Sequence, residues 1–141
     1  MYEIVVNRSG FTGTINFSHG NVVVNTPCWW DKDVVIEAND DGYLSYATRM
    51  AKKHDSVNTK EKRPAIWLGK GVKYAHGARS SNEIFIHEGK NASWSDGCIV
   101  ADRAEILKIW LAIVPKETAN VLVKVIDVAD YIRWNRGRGA A

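Results

Sequence analysis

Residues 84–115 read IFIHEGKNASWSDGCIVADRAEILKIWLAIVP, and the reading of this stretch decides the fold. Its start, with Glu83 before it, reads EIFIH and alternates toward a core, the period of a strand that ends at His87. A loop of small and polar residues follows, and Cys98 closes it. Beyond Cys98 the period changes. Asp102 is a good N-cap, and Glu105 stands three positions on, close to capping-box spacing. Ile106, Ile109, Trp110 and Ile113 recur at helical spacing with Leu107 and Leu111 beside them, and Pro115 stops the run. A strand, a loop and a helix are therefore expected in that order.

Working outward, the rest of the chain reads as short strands joined by turns. Tyr2 to Val6 is apolar and β-branched. Thr14 to Phe17 and Asn21 to Asn25 flank Ser18-His19-Gly20, a hairpin signature with a glycine available for positive φ. Val34 to Glu37 is expected as a further strand, and Asn39-Asp40-Asp41-Gly42 as a turn. Tyr43 to Met50 suits a strand or a short helix. Residues 51–63 are polar and charged and read as a solvated loop. Ala65 to Leu68 and Asn120 to Val128 complete the strands, and residues 132–141 read as a flexible tail. The expectation is one mainly β domain, residues 1–141, with one or two helices.

The chain has 141 residues, 45% of them hydrophobic and 25% charged, the balance of an ordinary globular domain with a real core. The formal net charge of +3 is a mild excess that suits a polyanionic surface. The basic residues are not interleaved with aromatics, so no nucleic-acid partner is expected. Two cysteines are too few for a disulfide framework. No signal peptide is read at the N-terminus and no stretch is long and apolar enough to span a membrane. Synthesis in the cytoplasm is therefore expected, and action elsewhere would need a route of release.

His87 and Cys98 carry the chemistry. A thiol near its ordinary pKa is only partly ionised at neutral pH, and a neighbouring imidazole can take its proton. The helix beginning at Asp102 would add a positive dipole end near the thiol. Gly97 permits close approach of a carbonyl, and the amides of Gly97 and Cys98 are candidates for an oxyanion hole. Gly89 offers the same freedom on the opposite wall. Ser93, Ser95 and Asp96 are candidate orienters of the imidazole, with a backbone carbonyl as the alternative. On spacing alone, a core cysteine and a strand-end histidine explain the pair equally well.

The pattern His87-x-Gly89 … Ser95-x-Gly97-Cys98-Ile99 resembles the signature of L,D-transpeptidase catalytic domains. The short spacer and the form IHEGKN … DGCIV look closest to a compact branch found in phage genomes and secreted antibacterial effectors, although Asn91 stands one position late. The resemblance is carried by residues 84–100. It implies a β-sandwich-like catalytic fold with the Cys–His pair in a groove. It implies acyl transfer from a peptidoglycan stem peptide to Cys98 through a thioester, with His87 as base and Gly97 with Cys98 supplying oxyanion amides. No metal or organic cofactor is implied. Val100 stands where cross-linking enzymes carry arginine, and Asp96 where they carry histidine, so hydrolysis is expected over transfer. The expected protein is a monomeric lytic cysteine peptidase of bacterial peptidoglycan, an L,D-carboxypeptidase or endopeptidase acting in the periplasm or cell wall. A phage endolysin is the first reading. A secreted effector, a transpeptidase on the same fold and a non-enzymatic wall-binding module are the alternatives.

Trp94, inside the loop, is expected to contact substrate, and Arg79 to bind a stem-peptide carboxylate through its planar fork. His76, Asp96 and Gly89 complete the expected groove lining, with Arg49 and Tyr43 as weaker members. For His76 and Arg79 the competing reading is a solvated surface side chain. Cys28 reads as a buried structural thiol; a bridge to Cys98 would abolish the nucleophile. Trp29 and Trp30 suit either a sugar-stacking shelf or, for at least one of them, the core. A zinc site from His76, His87, Asp96 and Cys98 follows no zinc spacing, so no metal is expected.

Overall fold

A computed structural model of the chain describes residues 1–10, 12–51, 62–92, 95 and 97–128. The elements run β1 (Tyr2–Ser9), β2 (Thr12–His19), β3 (Val22–Trp29), β4 (Asn39–Ala51), β5 (Lys62–Trp67), β6 (Val72–Lys73), β7 (Ser80–Ser81), β8 (Phe85–Glu88), β9 (Ile99–Ala101), α1 (Arg103–Ala112) and β10 (Val121–Asp127). The described chain is mainly β with a single helix. Eight strands close into a barrel in the order β1-β10-β4-β5-β8-β9-β3-β2, and β6 with β7 forms a separate hairpin. The sandwich-like arrangement expected from the sequence is not confirmed: every strand of the eight pairs with two neighbours, β1 with β2 and β10, and the strands form one closed sheet.

Alternation builds the barrel. Ile4 and Val6, Ile15 and Phe17, and Val121, Val123 and Val125 point inward from β1, β2 and β10, each 3% exposed or less. Each fully buried Ile or Val contributes about 1.5–3 kcal/mol by leaving water. Outward neighbours on the same strands include polar pairs, Asn16 with Asn25 and Glu3 with Lys124, beside the apolar Val5, Leu122 and Ile126. β5, β8 and β9 break this rule. Ala65 and Ile66, Ile86 and His87, and all of Ile99–Ala101 are buried on both faces, because α1 lies on the outer side of β3, β5 and β8.

The helix forms as its sequence dictates. Asp102 caps it by accepting the Ala104 amide at 3.1 Å, and Ile106, Ile109 and Trp110 are its buried face. Glu105 reaches forward to Lys108 at 2.9 Å. The strand Ile99–Ala101 separates Cys98 from the helix start by about 10 Å of extended chain, so the helix dipole does not act on the thiol.

Two local expectations are corrected. Asn39-Asp40-Asp41-Gly42 is not a turn between elements but the start of β4, carrying a register shift opposite Val123 and Val125. Its turn chemistry survives as a bulge: Asn39 Oδ1 accepts the Gly42 amide at 3.0 Å, and Gly42 takes φ +98°. Val34–Glu37 forms no strand but a single bridge, Ile36 with Tyr74, and drives Val35 and Ile36 into the end of the barrel. Arg8 closes the same end. It is 1% exposed, forks onto Asp127 with Nη2 to Oδ2 at 2.9 Å, and donates to the Ile36 carbonyl at 2.8 Å. Most of the expected loop 51–63, and the tail 132–141, lie outside the described residues.

Candidate active site

The site sits where β8 and β9 run side by side in parallel. Ile86, His87 and Glu88 come level with Ile99, Val100 and Ala101, and the Gly89 amide extends the ladder to the Ala101 carbonyl at 2.9 Å. Gly89 is therefore a ladder residue of the wall. Strand alternation turns Ile86 and Ile99 inward and His87 and Val100 outward, beneath α1.

Cys98 stands just before β9, where the two strands begin to part. Its thiol replaces a ladder group: Sγ accepts the Phe85 amide at 3.4 Å and donates toward the Glu83 carbonyl at 3.7 Å. The sulfur is thus level with Phe85, and His87 lies two residues farther along the same strand, a rise of about 7 Å at the Cα positions. The two contacts act oppositely on the proton. The Phe85 N–H favours thiolate, while the Glu83 carbonyl favours the resting thiol.

His87 is 3% exposed and Cys98 8%, so the pair lies within the wall rather than on an open groove floor. The ring is oriented by main chain: Nδ1 lies 2.7 Å from the Glu88 carbonyl. A carbonyl only accepts, so Nδ1 is the donor in this contact. Of the orienters weighed from the sequence, the backbone carbonyl is in contact, and Ser93 and Asp96 lie outside the described residues.

Ser95 has a different task. Its buried hydroxyl donates to the Cys98 carbonyl at 2.5 Å and accepts the Gly97 amide at 3.2 Å, pinning the turn before the nucleophile candidate. This occupies the Gly97 amide, which removes it from the expected oxyanion pair. Gly97 is needed for its shape instead. It adopts φ +105°, and a Cβ there would meet Tyr74 and Val34 at 3.2 Å.

The remaining candidates divide. Arg79 is exposed, but its guanidinium lies 5.7 Å over the Tyr74 ring, and Tyr74 packs on Gly97, so Arg79 reaches the rim of the site. His76 is exposed on the same β6–β7 hairpin. Tyr43 turns away: its hydroxyl donates to the Glu37 carbonyl, and burial pushes it up to about 12. Arg49 lies 4.5 Å over Trp110, at the other end of the barrel. Trp30 joins the core, 7% exposed and facing Arg8. Trp94 and Asp96, with Ser93, lie outside the described residues.

Neither Cys28 nor Cys98 is in a disulfide. Cys28 points into the barrel between Gly13 and Ala101, whereas Cys98 lies within the wall, so no bridge consumes the candidate nucleophile. Among the described residues no three His, Cys, Asp or Glu side chains converge as a metal ion would require, and no helix is long and apolar enough to cross a membrane.

Sequence reasoning overlooked Tyr74, the Phe85 amide and the Glu83 carbonyl. The signal for Phe85 was present, since the alternation of EIFIH puts it on the face of His87. No protein-family model matches the chain, and neither does any curated protein or solved structure with which it was compared.

Proposed function

We propose that the chain is a cysteine peptidase that hydrolyses peptidoglycan stem peptides, built on a barrel-closed relative of the L,D-transpeptidase catalytic fold. One observation carries the reading. The parallel β8–β9 pair holds an unbridged thiol and a histidine oriented by main chain within one short stretch of wall. The resemblance of residues 84–100 supplies the substrate class.

In the proposed cycle His87 Nε2 takes the Cys98 proton, and the sulfur attacks the stem-peptide carbonyl. The Phe85 amide holds the negative charge on sulfur, and the Cys98 amide faces the developing oxyanion. The C–N bond breaks, His87 returns the proton to the leaving amine, and a thioester remains. His87 then deprotonates water, which attacks the thioester and releases the acid and the thiol. Burial of the pair keeps bulk water from competing for these contacts. Arg79, above Tyr74, is set to meet a stem-peptide carboxylate.

The departures at Val100 and Asp96 favour hydrolysis over transfer. The mild positive charge suits a polyanionic wall. A phage lysis enzyme and a secreted antibacterial effector both need this activity. Purified sacculi incubated with the protein should release peptide fragments whose masses identify the bond cut. Intact sacculi would overturn the proposal, and cross-linked products would convert it to a transferase.

A further inference from the structure

The outer face of the barrel carries an aromatic row that the proposed chemistry has not used. Tyr46, Trp67 and Phe85 are register partners across β4, β5 and β8, and all three point outward. Each is half-buried. Tyr46 and Trp67 lie with ring centroids 4.8 Å apart at 37°, and the Trp67 indole N–H is fixed on the Asn82 carbonyl at 2.8 Å. The row ends on the thiol, because the Phe85 amide is the group that donates to Cys98 Sγ. Other outward cross-strand pairs are polar or aliphatic, such as Asn16 with Asn25 and Leu44 with Leu122. A water-facing sheet needs no contiguous line of aromatic rings, and a line that leads to a nucleophile has a use.

We infer that this row is a subsite for the sugar end of the substrate, with the Trp67–Tyr46 pair stacking on an N-acetylated pyranose ring while the attached peptide crosses Phe85 to reach Cys98. The inference rests on the proposed hydrolase reading. Its dimensions follow from the strands. Neighbouring strands are about 4.8 Å apart, which puts Phe85, Trp67 and Tyr46 at about 5, 10 and 14 Å from the thiol's strand. An extended peptide advances about 3.3–3.6 Å per residue. Three residues on the acyl side of the cut bond therefore reach Trp67, and the sugar that bears the stem peptide arrives at Trp67 and Tyr46. A pyranose offers an apolar C–H face to a ring and hydroxyls to its edge, which suits amphipathic Trp and Tyr. The enzyme would then read glycan-borne stem peptides in preference to free ones.

The test compares two substrates that share one tetrapeptide: the free peptide, and the same peptide on its disaccharide. The wild-type protein should show a KM about tenfold lower for the disaccharide-peptide. Trp67→Ala and Tyr46→Ala should each raise that KM toward the free-peptide value, leaving kcat and free-peptide kinetics within twofold. Trp67→Phe, which keeps a ring, should retain part of the preference and guards against a folding defect. Equal KM values in the wild type, or equal losses on both substrates in the variants, would overturn the inference. Should the wild type cleave neither substrate, the hydrolase reading fails by itself. Calorimetry then decides the subsite, with the disaccharide-peptide titrated into Cys98→Ala and into Cys98→Ala with Trp67→Ala. Binding weakened about tenfold by the second substitution upholds the shelf, and equal or absent binding removes it.

Discussion

The two cysteines occupy two regions of one barrel and meet opposite conditions. Cys28 faces inward beside Gly13, Ala101 and Trp30, and burial pushes its thiol up to about 12 against the pull of the Arg8 guanidinium. Cys98 stands at a parting of two strands, held by one amide and one carbonyl, with a histidine two residues along. The difference teaches that exposure alone does not separate a structural thiol from a candidate nucleophile here, since both are buried. What separates them is the polar company. Cys28 lies among Gly13, Trp30 and Ala101 with the Arg8 guanidinium near, whereas Cys98 takes an amide donor that favours thiolate and shares its strand pair with the candidate base His87.

The strongest way to break this comparison is to exchange the roles. Cys98→Ala should lower release of fragments from sacculi on the order of a thousandfold or more while the melting temperature barely moves. Cys28→Ala should leave the specific activity of folded protein intact. Comparable losses of activity in both variants would erase the distinction. The region around Cys28 should answer instead in stability. Arg8→Ala strands Asp127 in the barrel end and should cost about 3–5 kcal/mol in urea unfolding.

The next test sharpens the Cys98 side. Gly97→Ala forces a Cβ to 3.2 Å from Tyr74 and Val34 at φ +105° and should cost about 1–3 kcal/mol. Because the strain falls on the turn that presents the thiol, activity should drop further than the lost folded fraction explains. A variant with full specific activity would show that this turn does not position the sulfur.

The smallest effect is in titration. The Cys28 thiol is raised in the folded protein from 9.0 to about 12, so between these values the folded state keeps a proton that the unfolded state has released. Stability conferred by this group is complete below pH 9 and is lost as pH rises toward about 12. Cys28→Ala should flatten that alkaline slope, measured as the urea midpoint against pH. Mass mapping after brief iodoacetamide treatment near pH 8 should find Cys98 labelled and Cys28 untouched. Labelling of Cys28 in folded protein would contradict its apolar setting.

Much of the local structure was legible. The N-cap Asp102, the isoleucine spacing and Pro115 define α1 within the chain itself, and Ser18-His19-Gly20 marks the β2–β3 hairpin. The candidate pair His87 and Cys98 was singled out by the resemblance of residues 84–100, since spacing alone left a core cysteine and a strand-end histidine an equal explanation. Less legible was Asn39–Gly42, whose turn chemistry is real but is absorbed into a strand because β10 pairs across it. Ser95 was legible as a member of the site but not as the residue that pins Gly97, because a hydroxyl's partner depends on how the loop folds back.

The sequence by itself determined the helix, most strands and the chemical identity of the candidate nucleophile and base, because caps, turn residues and side-chain periods act over a few neighbouring positions. Only the tertiary structure decided that the sheet closes, that Cys28 and Cys98 stand apart, that the Glu88 carbonyl orients the His87 ring and that an aromatic row leads to the thiol. Those features arise from register between strands distant in the chain, and register is set by the joint burial of side chains that no local window contains.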